Sequence, residues 1–258
     1  MTEHPIEIHM FPCLSDNYGF LVHDPQSQQT ATFDTPESTT IEEALTTKGW
    51  ELTHIFNTHH HYDHAGGNLE LKEKTNCLIL GSSLDQKRIP GIDVTLEDQQ
   101  IFHFGSHKIH CHHTPGHTTG HMVYHFAEQS LAFVGDTLFA MGCGRVFEGT
   151  PEQMWSSLET LMAWPDETVL YCAHEYTQSN AQFAISIEPD NPALQKRKYQ
   201  VDAMRANNEN TVPTNLGLEK LTNPFLRPDS EEIRTNLNMA NASMVEVFTE
   251  IRKRKDNF

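Results

Sequence analysis

No stretch of the chain approaches the roughly 20 consecutive apolar residues that a membrane span requires, so no membrane partner is expected. Met1-Thr2-Glu3-His4-Pro5 lacks the basic-then-apolar pattern of a secretory leader, and a cytoplasmic location is the expectation. Cysteine is scarce: Cys13, Cys77, Cys111, Cys143 and Cys172 are odd in number, scattered, and contain no C-x-x-C pair. That argues against a disulfide framework and a thiolate zinc ribbon, and leaves the thiols as buried small hydrophobes. Basic residues are outnumbered 18 to 35 by Asp and Glu, for a net charge of −17. Nucleic acids and anionic membrane surfaces want the opposite balance. Internal repeats and low-complexity segments are also missing, which excludes a solenoid and a disordered tail.

What the chain does contain is unevenly spread. Its 258 residues, 37% hydrophobic and 21% charged, suit a soluble globular protein with a full core. Up to His174 there are 7 Lys/Arg against 23 Asp/Glu; from Glu175 onward there are 11 against 12, and all 17 histidines lie at or before His174. One segment looks built to hold cations and the other to meet an anion.

Short β-rich runs separated by turn signals mark the first part: Ile6 to Phe11, Phe20 to His23, and Thr30 to Phe33 ending at Asp34-Thr35-Pro36. Pro36 can open a helix through Leu45, because proline is tolerated in a first helical turn. A strand at Ile55-Phe56 leads into a histidine loop, and a helix is predicted from Asn68 to Lys74. Further strands are predicted at Cys77 to Leu80, Gln100 to Phe104, Lys108 to His112, His121 to Phe126 and Ser130 to Val134. After Thr150-Pro151 come a helix through Met162 and a strand at Val169 to Cys172. Long helix-compatible stretches follow at Tyr176 to Ile187, Ala193 to Asn207 and Ala240 to Lys255. The pattern indicates a layered α/β domain over residues 1–174 and a helical domain over 175–258.

Chemistry concentrates in four islands. In Thr58-His59-His60-His61-Tyr62-Asp63-His64 an extended loop would project His59, His61 and Asp63 to one side, with His64 at the turn into the next helix and His60 and Tyr62 turned away to serve packing. Such density of imidazole and carboxylate after a buried strand points to metal binding, and nitrogen-rich sites sharing oxygen ligands suit zinc, iron or manganese and not calcium or magnesium. The second island, His113-Thr114-Pro115-Gly116-His117-Thr118-Thr119-Gly120-His121, presents His117 at the tip of a Pro-Gly turn. His113 and His121 can orient ligands, while His103, His107, His110, His112 and His125 read as surface or strand-face residues. In the third, Phe133-Val134-Gly135-Asp136-Thr137-Leu138-Phe139, Asp136 leaves the end of an apolar strand and can bridge two cations. The fourth is His174 at the end of the Val169 to Cys172 strand. Taken alone, a turn histidine or aspartate is more often structural; the first island makes ligands the better reading.

H-x-H-x-D-H at 59–64, P-G-H-T at 115–118, G-D-T-L-F at 135–139 and H-E-Y at 174–176 resemble the metallo-β-lactamase superfamily. More narrowly, Gly142-Cys143-Gly144-Arg145 with Glu148-Gly149, Cys172-Ala173-His174-Glu175-Tyr176-Thr177, Asn223-Pro224-Phe225-Leu226-Arg227 and Arg252-Lys253-Arg254-Lys255-Asp256 resemble the glyoxalase II, or hydroxyacylglutathione hydrolase, family. The likeness runs from Asp16-Asn17-Tyr18 to the last residues. It implies an αββα sandwich followed by a small C-terminal helical domain. It also implies two divalent metal ions per chain, zinc first and iron or manganese as alternatives. His59, His61 and His117 would hold one, Asp63, His64 and His174 the other, and Asp136 with a water or hydroxide would bridge them.

The resemblance further implies a glutathione thioester substrate; a monomer is the expectation. Tyr176, Arg252 and Lys255 match glutathione-contacting positions. Arg145 stands where the family usually has lysine, which keeps the charge and changes its geometry; Phe147 stands where many members have tyrosine, which removes a hydroxyl. Catalysis would rest on Asp63, His59, His61 and Asp136. A lactonase or β-lactamase would share the metal motif without the basic terminal domain. A persulfide dioxygenase needs one iron and no second set of ligands; a flavodiiron oxidoreductase would carry an acid in place of His61 and a further domain. A metal-storage or metal-sensing protein would explain the histidines and leave the terminal basic residues unexplained.

Overall fold

The computed structural model describes residues 5–258, so the first four residues of the amino-terminal pattern lie outside it. The chain divides into two compact units, one formed by residues up to His113 together with Gly120–Gly135, the other by Thr114–Thr119 and Asp136–Phe258.

In the first unit, β1 (Glu7–Cys13), β2 (Asn17–Asp24) and β3 (Gln29–Phe33) form an antiparallel meander. Helix α1 (Ser38–Lys48) then crosses to β4 (His54–Phe56), which pairs parallel to β3. One helical turn, α2 (Tyr62–Ala65), and α3 (Asn68–Thr75) lead to β5 (Leu78–Ser82) and β6 (Val94–Leu96), both added in parallel. The sheet order is β1-β2-β3-β4-β5-β6. Strands β7 (Ile101–Phe104), β8 (His107–His113), β9 (Met122–Phe126) and β10 (Leu131–Gly135) make a second, antiparallel array.

Every residue of β2 is buried because both faces of its sheet are covered. Leu21 and Ile55 turn to Ile41, Leu45 and Leu71 of α1 and α3. On the other face Phe33 lies flat between sheets, its ring 3.9 Å from Phe133 and 5.1 Å from Phe56, with Phe126 edge-on at 5.9 Å. These layers are the α/β architecture that the strand and helix pattern predicts.

Pro36 does not open α1. Glu37 is extended at φ −153, and the helix begins at Ser38. The cause is the preceding backbone: Asp34 N–H is given to Phe56 O, and Thr35 donates to His64 O and accepts from Gly67 N–H, so the chain stays strand-like until past the proline.

The second unit starts with a two-residue hairpin, β11 (Leu138–Phe139) and β12 (Gly142–Cys143). Helix α4 (Pro151–Met162) follows, begun by a capping box in which Thr150 and Gln153 satisfy each other's backbone N–H groups. β13 (Val169–Cys172) leads to α5 (Thr177–Ile187) and α6 (Pro192–Ala206), and β14 (Thr214–Asn215) returns to pair antiparallel with β13. Three helices close the chain: α7 (Leu216–Thr222), α8 (Glu231–Leu237) and α9 (Met244–Asp256). Phe183, Phe225 and Phe248 are fully buried among them. Arg197 and Glu219 pair in the interior, where Glu219 also accepts from Met141 N–H at 2.8 Å and Asn223 Nδ2 at 3.1 Å. A buried carboxylate needs such a full set of donors. The short α7, α8, β6, β11, β12 and β14 were not predicted from the pattern. Among the described residues no helix is long and apolar enough to cross a membrane.

Replacing Phe33 by alanine is expected to lower stability by about 3–5 kcal/mol, because the ring fills the layer between sheets. Urea titration at fixed metal content measures this; a loss below about 1 kcal/mol would contradict the packing described.

Candidate metal centre and adjoining cavity

The histidine loop of the first unit is anchored from below. Asn57 and Thr58 leave β4 buried; Asn57 Nδ2 donates to His64 O at 2.8 Å and its Oδ1 accepts from Asn68 at 2.7 Å. The buried Asp34 carboxylate accepts Thr58 N–H at 2.7 Å, Thr58 Oγ1–H at 2.8 Å and His64 Nδ1–H at 2.8 Å. A carboxylate can only accept, so the His64 proton sits on Nδ1 and the Nε2 lone pair is available. The Thr58 hydroxyl has one proton, already given to Asp34, and therefore accepts from His59 Nδ1 at 3.0 Å. His59 is thereby fixed in the same tautomer. Its Nε2 lies 2.9 Å from His61 Nδ1, and His64 Nε2 lies 3.4 Å from Asp63 Oδ2.

The loop is not extended throughout. His61 O accepts from both His64 N–H and Ala65 N–H at 2.9 Å, winding Tyr62–Ala65 into the turn α2 and placing Asp63 and His64 on it. Asp63 is held there by Asn17 Nδ2, 3.2 Å from its Oδ2. Tyr62 was expected to pack; it is 81% exposed, because the turn carries it outward. His60 does turn away, to Asp85 Oδ2 at 3.2 Å. His121 is buried and stacks on His59 at 5.0 Å, and His113 Nε2 meets Ser82 Oγ at 3.0 Å. Gly135 ends β10 at φ +48, where a Cβ would come within 2.8 Å of both Thr58 Oγ1 and His121 Nε2; no side chain fits.

The second unit holds its own set. His117 Nδ1–H donates to Arg145 O at 2.8 Å, again leaving the Nε2 lone pair, which lies 3.4 Å from Asp136 Oδ2. His174 Nε2 lies 3.4 Å from Asp136 Oδ1. Each carboxylate oxygen thus faces one imidazole. Gly144 permits the approach, since a Cβ there would land 2.0 Å from Asp136 O. A lone pair turned to a carboxylate oxygen is repulsive unless a proton or a metal ion lies between them. Both sets fit a divalent cation of borderline softness on that ground: they combine nitrogen and oxygen donors, His59, His64 and His117 are buried with tautomers fixed by outer hydrogen bonds, and Asp136 and His174 are buried as well.

Beside His117 and Asp136 opens a cavity of about 610 Å³, also lined by Arg145, Phe147, Tyr176, Arg252 and Lys255. Tyr176 stacks flat on His174, with ring centroids 4.7 Å apart, and meets Phe139 edge-on. Phe147, 62% exposed, leans on His117 at 5.2 Å. Arg252 is only 6% exposed: its Nη1 donates to Cys143 O at 2.9 Å, and Asp256 takes its Nε and Nη2 at 3.0 and 2.8 Å. Arg145 points outward, with Nε 3.5 Å from Asp256. Burial, then the Arg252 and Arg145 charges, bring the Lys255 ammonium down to about 8. Cys143 also lines the cavity, its thiol pushed up to about 11 by burial.

The family model "Metallo-beta-lactamase superfamily" matches residues 30–174 and "Hydroxyacylglutathione hydrolase C-terminus" matches residues 175–258. A hydroxyacylglutathione hydrolase of Maricaulis maris is 54% identical over 97% of this chain and 98% of its own. Another, from Rhizobium etli, is 52% identical over 98% and 99%. The chain belongs to the hydroxyacylglutathione hydrolase family. Its fold is similar to that of ETHE1 from Myxococcus xanthus, with TM-score 0.67 and 23% identity over 97% of each chain. The metallo-β-lactamase fold with a C-terminal helical part, expected from the motifs, is thereby established.

Of the predicted ligands, His59, His61, Asp63 and His64 stand together in one unit, and His117, Asp136 and His174 in the other. Arg145, Phe147, Tyr176, Arg252 and Lys255 share one cavity with His117 and Asp136. Sequence reasoning passed over Asp34 and Asn17. The signal was present: Asp34 directly follows the strand run Thr30 to Phe33, and an acid at the end of an apolar strand is what drew notice to Asp136.

Asp34→Asn would offer an amide N–H to His64 and favour the tautomer with its proton on Nε2. Zinc affinity is expected to fall about 10–100-fold in a chelator competition, with the far-ultraviolet dichroism unchanged. Unaltered affinity would remove Asp34 from the site's support.

Proposed function

We propose that this protein hydrolyses S-(2-hydroxyacyl)glutathione thioesters, typically S-D-lactoylglutathione, to glutathione and a 2-hydroxy acid such as D-lactate, the second step of methylglyoxal detoxification. The observation that carries the reading is the close similarity to named hydroxyacylglutathione hydrolases across nearly the whole chain. The cavity adds chemical support, since three cationic side chains line the space beside two of the candidate ligands.

In this reading His59, His61 and His117 would hold one divalent metal ion and Asp63, His64 and His174 a second, with Asp136 as a ligand shared by both. Zinc is the first choice, with iron or manganese as alternatives. The bound cations supply Lewis acidity and a water whose pKa is lowered to about 7. Asp63, tethered by Asn17, would orient a water held there and accept its proton. His59 and His64 hold their lone pairs inward because Thr58 and Asp34 occupy Nδ1. The substrate's carboxylates meet Arg145, Arg252 and Lys255, while Tyr176 and Phe147 bound the thioester. Phe147 offers no hydroxyl, so orientation at that wall rests on contact alone. The departing thiolate is stable enough to leave without a dedicated acid. Residues 1–174 act as the catalytic domain and 175–258 as the glutathione-binding domain. The enzyme works as a monomer in the cytoplasm, where five unpaired thiols are at home.

Metal-loaded protein is expected to consume S-D-lactoylglutathione with loss of thioester absorbance; two bound metals and no turnover would sink the hydrolase reading. Two variants divide the roles. Asp136→Ala is expected to lose the dinuclear complement by elemental analysis. Lys255→Ala should keep both metals and raise KM about tenfold. Equal metal loss in the two would refute the division.

A further inference from the structure

Two residues that line the cavity, Ser179 and Phe258, have no part in the reading so far, and both act on Lys255. The Lys255 ammonium donates to Ser179 O at 3.3 Å and to Ser179 Oγ at 3.2 Å. It lies 5.4 Å from the centroid of the Phe183 ring and 5.5 Å from that of Phe258. The two rings meet edge to face, 5.4 Å apart at 70°. Phe183 is buried in the helical core, and Phe258 is 64% exposed.

An ammonium carries three N–H bonds. Ser179 takes two, and the ring faces attract the charge without using a donor, so one N–H remains for an acceptor entering the cavity. A lysine on the last turn of a surface helix ordinarily samples many rotamers with its head in water. This one is held on two sides.

We propose that Phe258 is a positioning residue of the cavity: with Phe183 and Ser179 it forms an aromatic clamp that fixes Lys255 Nζ as donor to a carboxylate of the thiol-bearing peptide. The clamp rests on the glutathione-thioester reading above. Lys255 faces Arg252 and Asp256 on its own helix, Arg145 from the segment after β12, and on α5 the uncharged Ser179. Burial is the largest influence on its charge, and the Phe258 ring supplies part of that burial. Removing the ring admits water, so the lysine holds its proton to higher pH while losing its fixed position.

The test uses the metal-loaded full chain with Phe258→Leu and Phe258→Tyr. For S-D-lactoylglutathione the leucine variant is expected to raise KM about fivefold to tenfold, with kcat within about twofold, and tyrosine to restore it. A lactoyl thioester of N-acetylcysteamine, which has no carboxylate, should be turned over equally by all three proteins. In the unmodified protein kcat/KM for the glutathione thioester is expected to fall as pH rises through about 8, where the ammonium is lost. NMR titration of the Lys255 side chain should show that midpoint moving toward about 10 in Phe258→Leu. An unchanged KM, an equal rise with the carboxylate-free thioester, or an unmoved midpoint would overturn the clamp. Lack of turnover in the unmodified protein would overturn the hydrolase reading instead, and the NMR midpoint would still decide the clamp.

Discussion

The first unit's site depends on one buried carboxylate. Asp34 receives three hydrogen bonds, from Thr58 N–H, Thr58 Oγ1–H and His64 Nδ1–H, and each does separate work. The backbone bond fixes where the loop leaves β4. The hydroxyl bond spends the only proton Thr58 has and so decides the tautomer of His59. The imidazole bond decides the tautomer of His64. A charge so far from water is tolerable only with its acceptor sites filled, so folding of this corner and orientation of the two candidate ligands are one event. The second unit reaches the same end by another route, with Arg145 O holding the His117 proton in place of a carboxylate.

Much of this was legible from residue types. Metal chemistry demands imidazole and carboxylate at strand ends, and few other uses call for H-x-H-x-D-H beside a buried strand. Helices with strong local signals were also readable: Thr150-Pro151 begins α4 where a capping box and an N1 proline require it. The misses have a common physical cause. Tyr62–Ala65 is one turn held by two bonds to His61 O, too short for any periodicity to show. Pro36 was misread because its surroundings are set by bonds to Phe56, His64 and Gly67, all distant in sequence. Asp34 was read as a turn residue because its partners appear only when β3 and β4 lie side by side.

Net charge was a poor guide to the cavity. The chain carries −17, yet Arg145, Arg252 and Lys255 line one space. Asp256 ties the two arginines, and this limits their mutual repulsion while leaving the lysine as the cation whose charge responds to pH near 8. Affinity for an anion is a local property of a few desolvated groups, whereas the acidic remainder governs solubility and nonspecific association.

The cysteines give the cavity a further quality. Burial raises the thiols of Cys13, Cys111 and Cys172 to about 12 and that of Cys143 to about 11. Thiol–disulfide exchange proceeds through the thiolate, and at neutral pH these side chains hold almost none. Cys143 lines the cavity, and its desolvation disfavours exchange with any thiol or disulfide that enters there, because the attacking species would have to be a thiolate that burial holds protonated.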